Sequence, residues 1–253
     1  MREYRCFVPE AQAEGQTLSL PAEEARHLVQ VLRAGPGREV LLLDGAGKEW
    51  AAQVAEAGRR AATVRVMGIS RQTPPPPPRW LACAPTKSAQ FDDVVQQAVE
   101  LGMTAFHPLR TERTEVHFDG PRAAKKLERW RRLAAEAIKQ CERLWLPEFH
   151  PPIGLAEHLA LAEGHALRRM VLVERLREGA PGLAGAAAAG DGVCLYVGPE
   201  GGWTEGERKL FATMGAEAVS LGTEAVLRTG TAALAGLAQL TAQPNQGSYP
   251  PGP

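Results

Sequence analysis

The sequence is poor in cysteine and aromatic residues, has no surplus of either charge and contains no long apolar run; each shortage closes a class of explanation. Its four cysteines, Cys6, Cys83, Cys141 and Cys194, stand far apart, with no CxxC pair and no histidine at metal-ligand spacing. This argues against a disulfide framework and against a zinc site, and points to a reducing, cytoplasmic setting. No metal is expected. Lys plus Arg equals Asp plus Glu at 29 each, so overall charge identifies no polyanionic partner, whereas local charge still can. The amino terminus "MREYRCFVPE" has no apolar signal core, and no uninterrupted apolar run reaches the roughly 18 residues needed to span a bilayer. The expectation is a soluble protein without a membrane partner.

What is present is globular composition, 44% hydrophobic over 253 residues, enough for one large or two modest domains. Five consecutive prolines, Pro74 to Pro78, cannot lie in a helix or a central strand and read as a stiff linker. Before them, "EVLLLDG" and "ATVRVMGI" read as strands and "AEEARHLVQVLR" as a short helix, which predicts a small β-barrel-like module. After them, apolar runs alternate with helical patterns. "RWLACAP", "AFHPL", "RMVLVE", "VCLYVG" and "AVSLG" read as strands; 90–101, 122–145, 205–214 and an Ala-rich final segment read as helices. That alternation predicts an α/β domain with a parallel sheet. The expected division is 1–73, a linker at 74–79, 80–243, and a mobile tail at 244–253.

The stretch "LYVGPEGGWTEGE" carries the first chemical signal. Thr204 and Glu207 fit a capping box, so 198–202 reads as a strand-to-helix loop at the carboxyl end of a strand, where open α/β sheets bind ligands. Its glycines let a backbone approach a ligand closely, and Glu200 offers a carboxylate to hydroxyl or amino groups. A plain tight turn is the alternative. Neither a Walker A ending nor a G-x-G-x-x-G spacing is present. The second signal, "LGTEAVLRTGTAALAGLAQL", is another glycine-containing loop after a strand, followed by a helix of small residues.

Together these stretches resemble the paired signature of the RsmE-type small-subunit ribosomal RNA uridine-N3 methyltransferases, members of the knotted SPOUT class. "HLVQVLR", "QQAVELG" and "EAIKQCERLWLPE" are similar to further motifs of that family, in the expected order along nearly the whole chain. The resemblance implies an N-terminal PUA-like β-barrel, a C-terminal SPOUT α/β domain with a trefoil knot, and a homodimer. It also implies S-adenosyl-L-methionine as cofactor and 16S ribosomal RNA or the small ribosomal subunit as partner. The residues it assigns to the cofactor are Leu172, Val197, Gly198, Pro199, Glu200, Gly201, Leu221, Gly222, Leu227 and Thr231. This chain departs from the family at Glu224 and Gly230, and Lys139 and Cys141 replace the usual Glu and Ser of the central helix.

An RNA partner has independent support in charge placement. On a helical wheel Arg122, Lys125, Arg129, Arg132, Lys139 and Arg143 share one face, opposite Leu127, Trp130, Ala134, Ile138, Cys141 and Trp145. A solvated helix face is the alternative. The RNA-binding set is taken as Arg5, Arg26, Arg33, Lys87, Arg110, Arg113, Lys125, Arg129 and Arg132. Methylation at uracil N3 needs a partly deprotonated ring and a cation near its carbonyl oxygens. Arg228 is the catalytic candidate for that cation, and pairing with Glu200 or a loop carbonyl is its structural alternative. His27 is a second candidate, as general base. Two other classes stand beside the enzyme: an RNA-binding or ribosome-assembly protein of the same fold without turnover, and a nucleotide-binding protein built on the glycine loop alone.

Overall fold

The computed structural model describes residues 4–58, 61–86, 91–116, 119–173, 181–186 and 191–242. The chain divides into two compact units: Met1–Pro76 with Ala134–Leu146, and Pro77–Leu133 with Pro147–Pro253.

The first unit contains β1 (Arg5–Phe7), β2 (Thr17–Ser19), α1 (Ala22–Arg26) with a π-helical continuation (His27–Val31), β3 (Glu39–Leu43), β4 (Lys48–Ala57) and β5 (Ala62–Gln72). The strands form one sheet in the order β1-β3-β4-β5-β2. β1 runs parallel to β3 and the other pairs are antiparallel. In β5, Ala62, Val64 and Val66 are buried while Arg65 and Met67 are exposed, the alternation of a strand with one covered face. Register shifts interrupt the β4–β5 ladder at three places, and such bulges bend a strand pair around its core. That core holds Leu28, Leu42, Trp50 and Val64. The stretch "HLVQVLR", expected to continue the helix, widens into a π turn closed by the Leu32 amide on the His27 carbonyl, and Arg33 follows at φ 51°.

The long helix α3 (Gly120–Cys141) contributes its last turns to this unit. It ends four residues earlier than the sequence pattern predicts, because Glu142 adopts φ 62° and a left-handed residue stops a helix. Trp145 is therefore not on the helix. Its indole donates to Thr73 Oγ1 at 3.1 Å and fills the space beside Gly47, where a Cβ would lie 2.7 Å from the ring's Cε2. Lys139, one of the departures from the family, is spent internally: Nζ lies 2.6 Å from Glu24 and 2.8 Å from Glu136. Glu24 in turn accepts from the Tyr4 hydroxyl and the Phe7 amide.

The second unit contains β6 (Arg79–Cys83), α2 (Phe91–Glu100), β7 (Ala105–Arg110), the first part of α3, β8 (Glu148–Phe149), β9 (Ile153–Gly154), α4 (Leu155–Gly164), β10 (Arg168–Leu172), α5 (Leu183–Ala186), β11 (Val193–Val197), α6 (Glu205–Thr213), β12 (Glu217–Val219) and α7 (Thr229–Thr241). Its sheet runs β12-β10-β11-β6-β7-β8, with β9 also on β7, and every recorded pair is parallel. All five residues of β11 are buried, as expected of a central strand covered on both faces. α4 and α6 close one face over Leu159, Tyr196 and Phe211. On the other, Phe106 packs edge-on against Trp130 of α3 and obliquely on Phe91 of α2. α7 also lies on the sheet: a Cβ at Gly236 would meet Leu195 of β11 at 2.6 Å, Leu172 of β10 at 3.4 Å and Leu183 of α5 at 3.6 Å. The sequence reading missed α4, whose stretch "LALA" gives no amphipathic period. Among the described residues no helix is long and apolar enough to cross a membrane.

Candidate functional site

Three neighbouring parallel strands, β12, β10 and β11, end side by side, so the segments that follow them converge. The first segment leaves β11 through Gly198 and Pro199 and turns at Gly202, whose φ is +68° and whose amide donates to the Pro199 carbonyl at 2.8 Å. α6 then starts with the predicted capping box. Thr204 Oγ1 accepts the Glu207 amide at 3.2 Å, and the Glu207 carboxylate accepts the Thr204 amide at 2.8 Å. The second segment leaves β12 at Ser220 and runs to α7, turning at Gly222, φ +71°.

Three residues absent from the predicted set hold these segments in place. Trp203 is buried; its indole N–H donates to the Leu172 carbonyl at 3.2 Å, and its ring fills the space beside Gly198, where a Cβ would lie 3.0 Å from Cε2. Thr229, at the first position of α7, donates its hydroxyl to the Gly198 carbonyl at 2.9 Å. Gln239 also fixes the Leu221 carbonyl through a side-chain bond of 3.1 Å. A tryptophan directly after a double glycine was the one available sequence signal for Trp203. Thr229 and Gln239 gave none, because hydrogen bonds over 31 and 18 residues are products of the fold.

The expected cofactor residues thus fall on one end of the sheet. Leu172, Val197 and Pro199 are buried there, Gly198, Leu221 and Leu227 are half-buried, and Glu200, Gly201, Gly222 and Thr231 are exposed. Nothing stands within 4 Å of the position a Cβ would take on Gly222. Burial, followed by the charge of Glu200, pushes the Cys83 thiol up, so that cysteine is no nucleophile. Arg228 precedes α7 and is exposed. Among the described residues its guanidinium has no recorded hydrogen-bond or ion-pair partner; pairing with Glu200 is not seen.

Beside Glu200 and Gly201 opens a cleft of about 380 Å³ whose other wall is Glu112, Arg113, Thr114 and Glu115. Arg113 crosses to it, donating Nη1 to the Gly201 carbonyl at 2.6 Å.

The basic residues separate into spent and available ones. Arg5 is turned inward, with its side chain 13% exposed against Glu49 and Glu142, and is a structural group. Arg110 pairs with Asp119 at 3.1 Å. Arg129 pairs with Asp92, which also takes Lys126 and the Trp130 indole. Burial alone would raise the Asp92 carboxyl, but those three donors outweigh it and hold it below the ordinary value. Arg26, Arg33, Lys125 and Arg132 are exposed, and Lys87 lies outside the described residues. His27 stacks on Tyr4, ring centroids 5.3 Å apart, in the first unit.

A family description of an RNA methyltransferase domain matches residues 73–241, and one of an RNA methyltransferase PUA domain matches residues 20–67. The chain belongs to this family of RNA methyltransferases. Its relatives include the ribosomal RNA small subunit methyltransferase E of Synechocystis, 35% identical over 94% of this chain and 77% of that one. The protein of the same name in Mycobacterium bovis is 33% identical over 88% of this chain and 85% of its own. Among solved structures, the enzyme of that name from Neisseria gonorrhoeae, bound to S-adenosylmethionine, superposes with a TM-score of 0.83 at 32% identity. The superposition covers 94% of this methyltransferase and 97% of that chain. A protein from Legionella pneumophila, also solved with bound S-adenosylmethionine, gives a TM-score of 0.84 at 31% identity, covering 95% of this chain and 97% of that one.

Proposed function

We propose that this RNA methyltransferase transfers the methyl group of S-adenosylmethionine to N3 of a uridine in 16S ribosomal RNA. The observation that carries the reading is the convergence of two glycine-containing segments at the ends of three adjacent parallel strands, in a chain that matches cofactor-bound relatives over almost its whole length. The residues fit such a ligand. Gly222 has open space where a side chain would stand, and Thr229 and Gln239 hold the loops without filling that space. We assign cofactor contacts to Leu172, Val197 to Gly201, Leu221, Gly222, Leu227 and Thr231. When bound, S-adenosylmethionine supplies an electrophilic methyl group.

The rest of the chemistry falls to the chain's own side chains. Loss of the imide proton to solvent leaves negative charge on the uracil carbonyl oxygens, and Arg228, without an internal partner among the described residues, is the cation assigned to it. Lys125, Arg132, Arg26 and Arg33 are assigned to phosphates, and Arg5 leaves that set. The Gly230 departure, which favoured a protein without turnover, has a packing cause: a Cβ there would meet Val94 Cγ2 at 2.7 Å. We further propose the domain division at 74–79, a threaded C-terminus, a homodimer and a cytoplasmic location. The threading is supported by α7, which touches both the sheet and α5.

The test is incubation of purified protein with labelled S-adenosylmethionine and small ribosomal subunits, then mapping of the modified base. Label at a uridine N3 is expected. Tight cofactor binding with no transfer to free 16S RNA or to subunits would sink the proposal.

A further inference from the structure

Glu207 is 5% exposed, and the methyl-transfer chemistry gives it no part. Its sequence context explains only the cap, in which one carboxylate oxygen accepts the Thr204 amide. The other oxygen accepts the Glu112 amide at 2.9 Å, from a residue 95 positions away, and capping requires no such partner. The segment it holds is stiff. The Thr111 amide donates to Thr114 Oγ1 at 3.1 Å, the two hydroxyls are 2.7 Å apart, and the Thr114 amide returns to the Thr111 carbonyl. With the bond from Arg113 to Gly201, two crosslinks therefore fix the segment 111–115 against the glycine loop. They set the width of the 380 Å³ cleft between them.

We infer that Glu207 is a positioning residue for the RNA step: through the Glu112 amide it fixes the cleft wall against which the target nucleotide lies. This rests on the methyl transfer proposed above. The cleft offers the Glu200 carboxylate as an acceptor for the N–H of a uracil imide edge and the Arg113 guanidinium as a donor to one of the flanking carbonyls. Such recognition is sensitive to wall position. A glutamine at 207 keeps the size but presents an NH₂ group to one of two backbone N–H donors, so only one of the two bonds survives.

The experiment compares Glu207→Gln with Thr204→Ala, which removes the cap hydroxyl and leaves the Glu112 bond. Glu207→Gln should lower kcat on ribosomal RNA by about 10²-fold, the scale of a 1 Å misplacement, with KM for RNA and S-adenosylmethionine affinity near wild type. Thr204→Ala, at a similar loss of melting temperature, should keep kcat within about threefold. Equal loss of kcat in both variants makes Glu207 a cap only and overturns the inference, as does an unchanged kcat in Glu207→Gln. Hydrogen exchange of the wild-type protein gives a readout independent of activity and of whether the variant folds. The Glu112 amide should exchange more slowly than that of its neighbour Arg113, and equal exchange overturns the latch. A wild-type protein with a protected Glu112 amide and no transfer to RNA sinks the proposed function while the latch stands.

Discussion

Gly198 and Gly222 sit in equivalent loops for different physical reasons, and substitutions separate them. At Gly198 the missing side chain is replaced by the Trp203 indole. Gly198→Val should displace that ring from the Leu172 carbonyl and destabilise the fold by about 1–3 kcal/mol, the cost of overpacking, read as a lower urea midpoint. At Gly222 there is room, but φ is +71°, a region that asparagine tolerates and branched residues do not. Gly222→Asn should keep the urea midpoint and weaken S-adenosylmethionine binding measured by calorimetry; unchanged affinity would remove Gly222 from the cofactor site. Arg228 separates chemistry from binding. Since its guanidinium has no internal partner among the described residues, Arg228→Ala should leave stability and cofactor affinity intact. It should lower single-turnover methylation by about 10² to 10³, the scale of one charge-stabilising donor. Loss of cofactor binding instead would make it a loop-holding group. Glycines in quoted loops were legible in the sequence. What fills the space beside them was not, because Trp203 reaches Gly198 only once α6 has turned back on β11.

Helix pairing accounts for Gly230 and for a set of buried histidines. Gly230 is the second residue of α7, and an alanine there would stabilise by about 0.4–1 kcal/mol through the reduced freedom of the unfolded chain if there were room. The 2.7 Å approach to the short, stiff Val94 side chain of α2 decides the opposite sign. Gly230→Ala should destabilise, and adding Val94→Ala should recover most of the loss in a double-mutant cycle. On the opposite face of the sheet, α4 sets His158 against the Tyr196 hydroxyl at 3.1 Å and against His107, ring centroids 4.5 Å apart. Neither ring nitrogen of His107 has a hydrogen-bond partner among the described residues. Burial first, then neighbouring His158, His150 and His165, lowers the His107 pKa from 6.5 to about 2. Burial and His150 lower that of His158 to about 4. The unfolded chain protonates these groups near pH 6.5 and the folded one does not. Their full stability is therefore present above that pH and is lost on acidification, by roughly 1.4 kcal/mol per pH unit for each histidine between 6.5 and 4. His107→Leu should flatten that slope in urea titrations; an unchanged slope would mean the ring is not buried neutral. The capping box of α6 was legible because it is local. The stop of α3 was not, since its apolar face continues in sequence to Trp145 while the backbone leaves the helix at Glu142.

At the scale of the molecule, balanced composition hides where cations are available. Chain order showed two regions separated by prolines and a parallel sheet in the second, because alternation of strand and helix periods is written along the chain. That residues 134–146 cluster with the first unit could not be read there. The same limit applied to the basic stripe: the wheel treated Lys125, Arg129, Arg132 and Lys139 alike, yet Lys139 is paired with Glu24 and Arg129 with Asp92, while Lys125 and Arg132 are exposed. The distinction is measurable in RNA binding. If Lys125 and Arg132 touch phosphates, Lys125→Ala with Arg132→Ala should reduce the slope of log affinity against log salt by roughly 0.7 to 0.9 per residue and leave cofactor affinity unchanged. Arg129→Ala should change that slope little, since its charge already serves Asp92, and should instead lower the urea midpoint through the loosened Asp92–Trp130 contact. An equal slope change in all three would mean that Arg129 leaves Asp92 for RNA. No slope change in the double variant would remove this face of α3 from the RNA path and leave Arg26 and Arg33 of the first unit as the phosphate contacts.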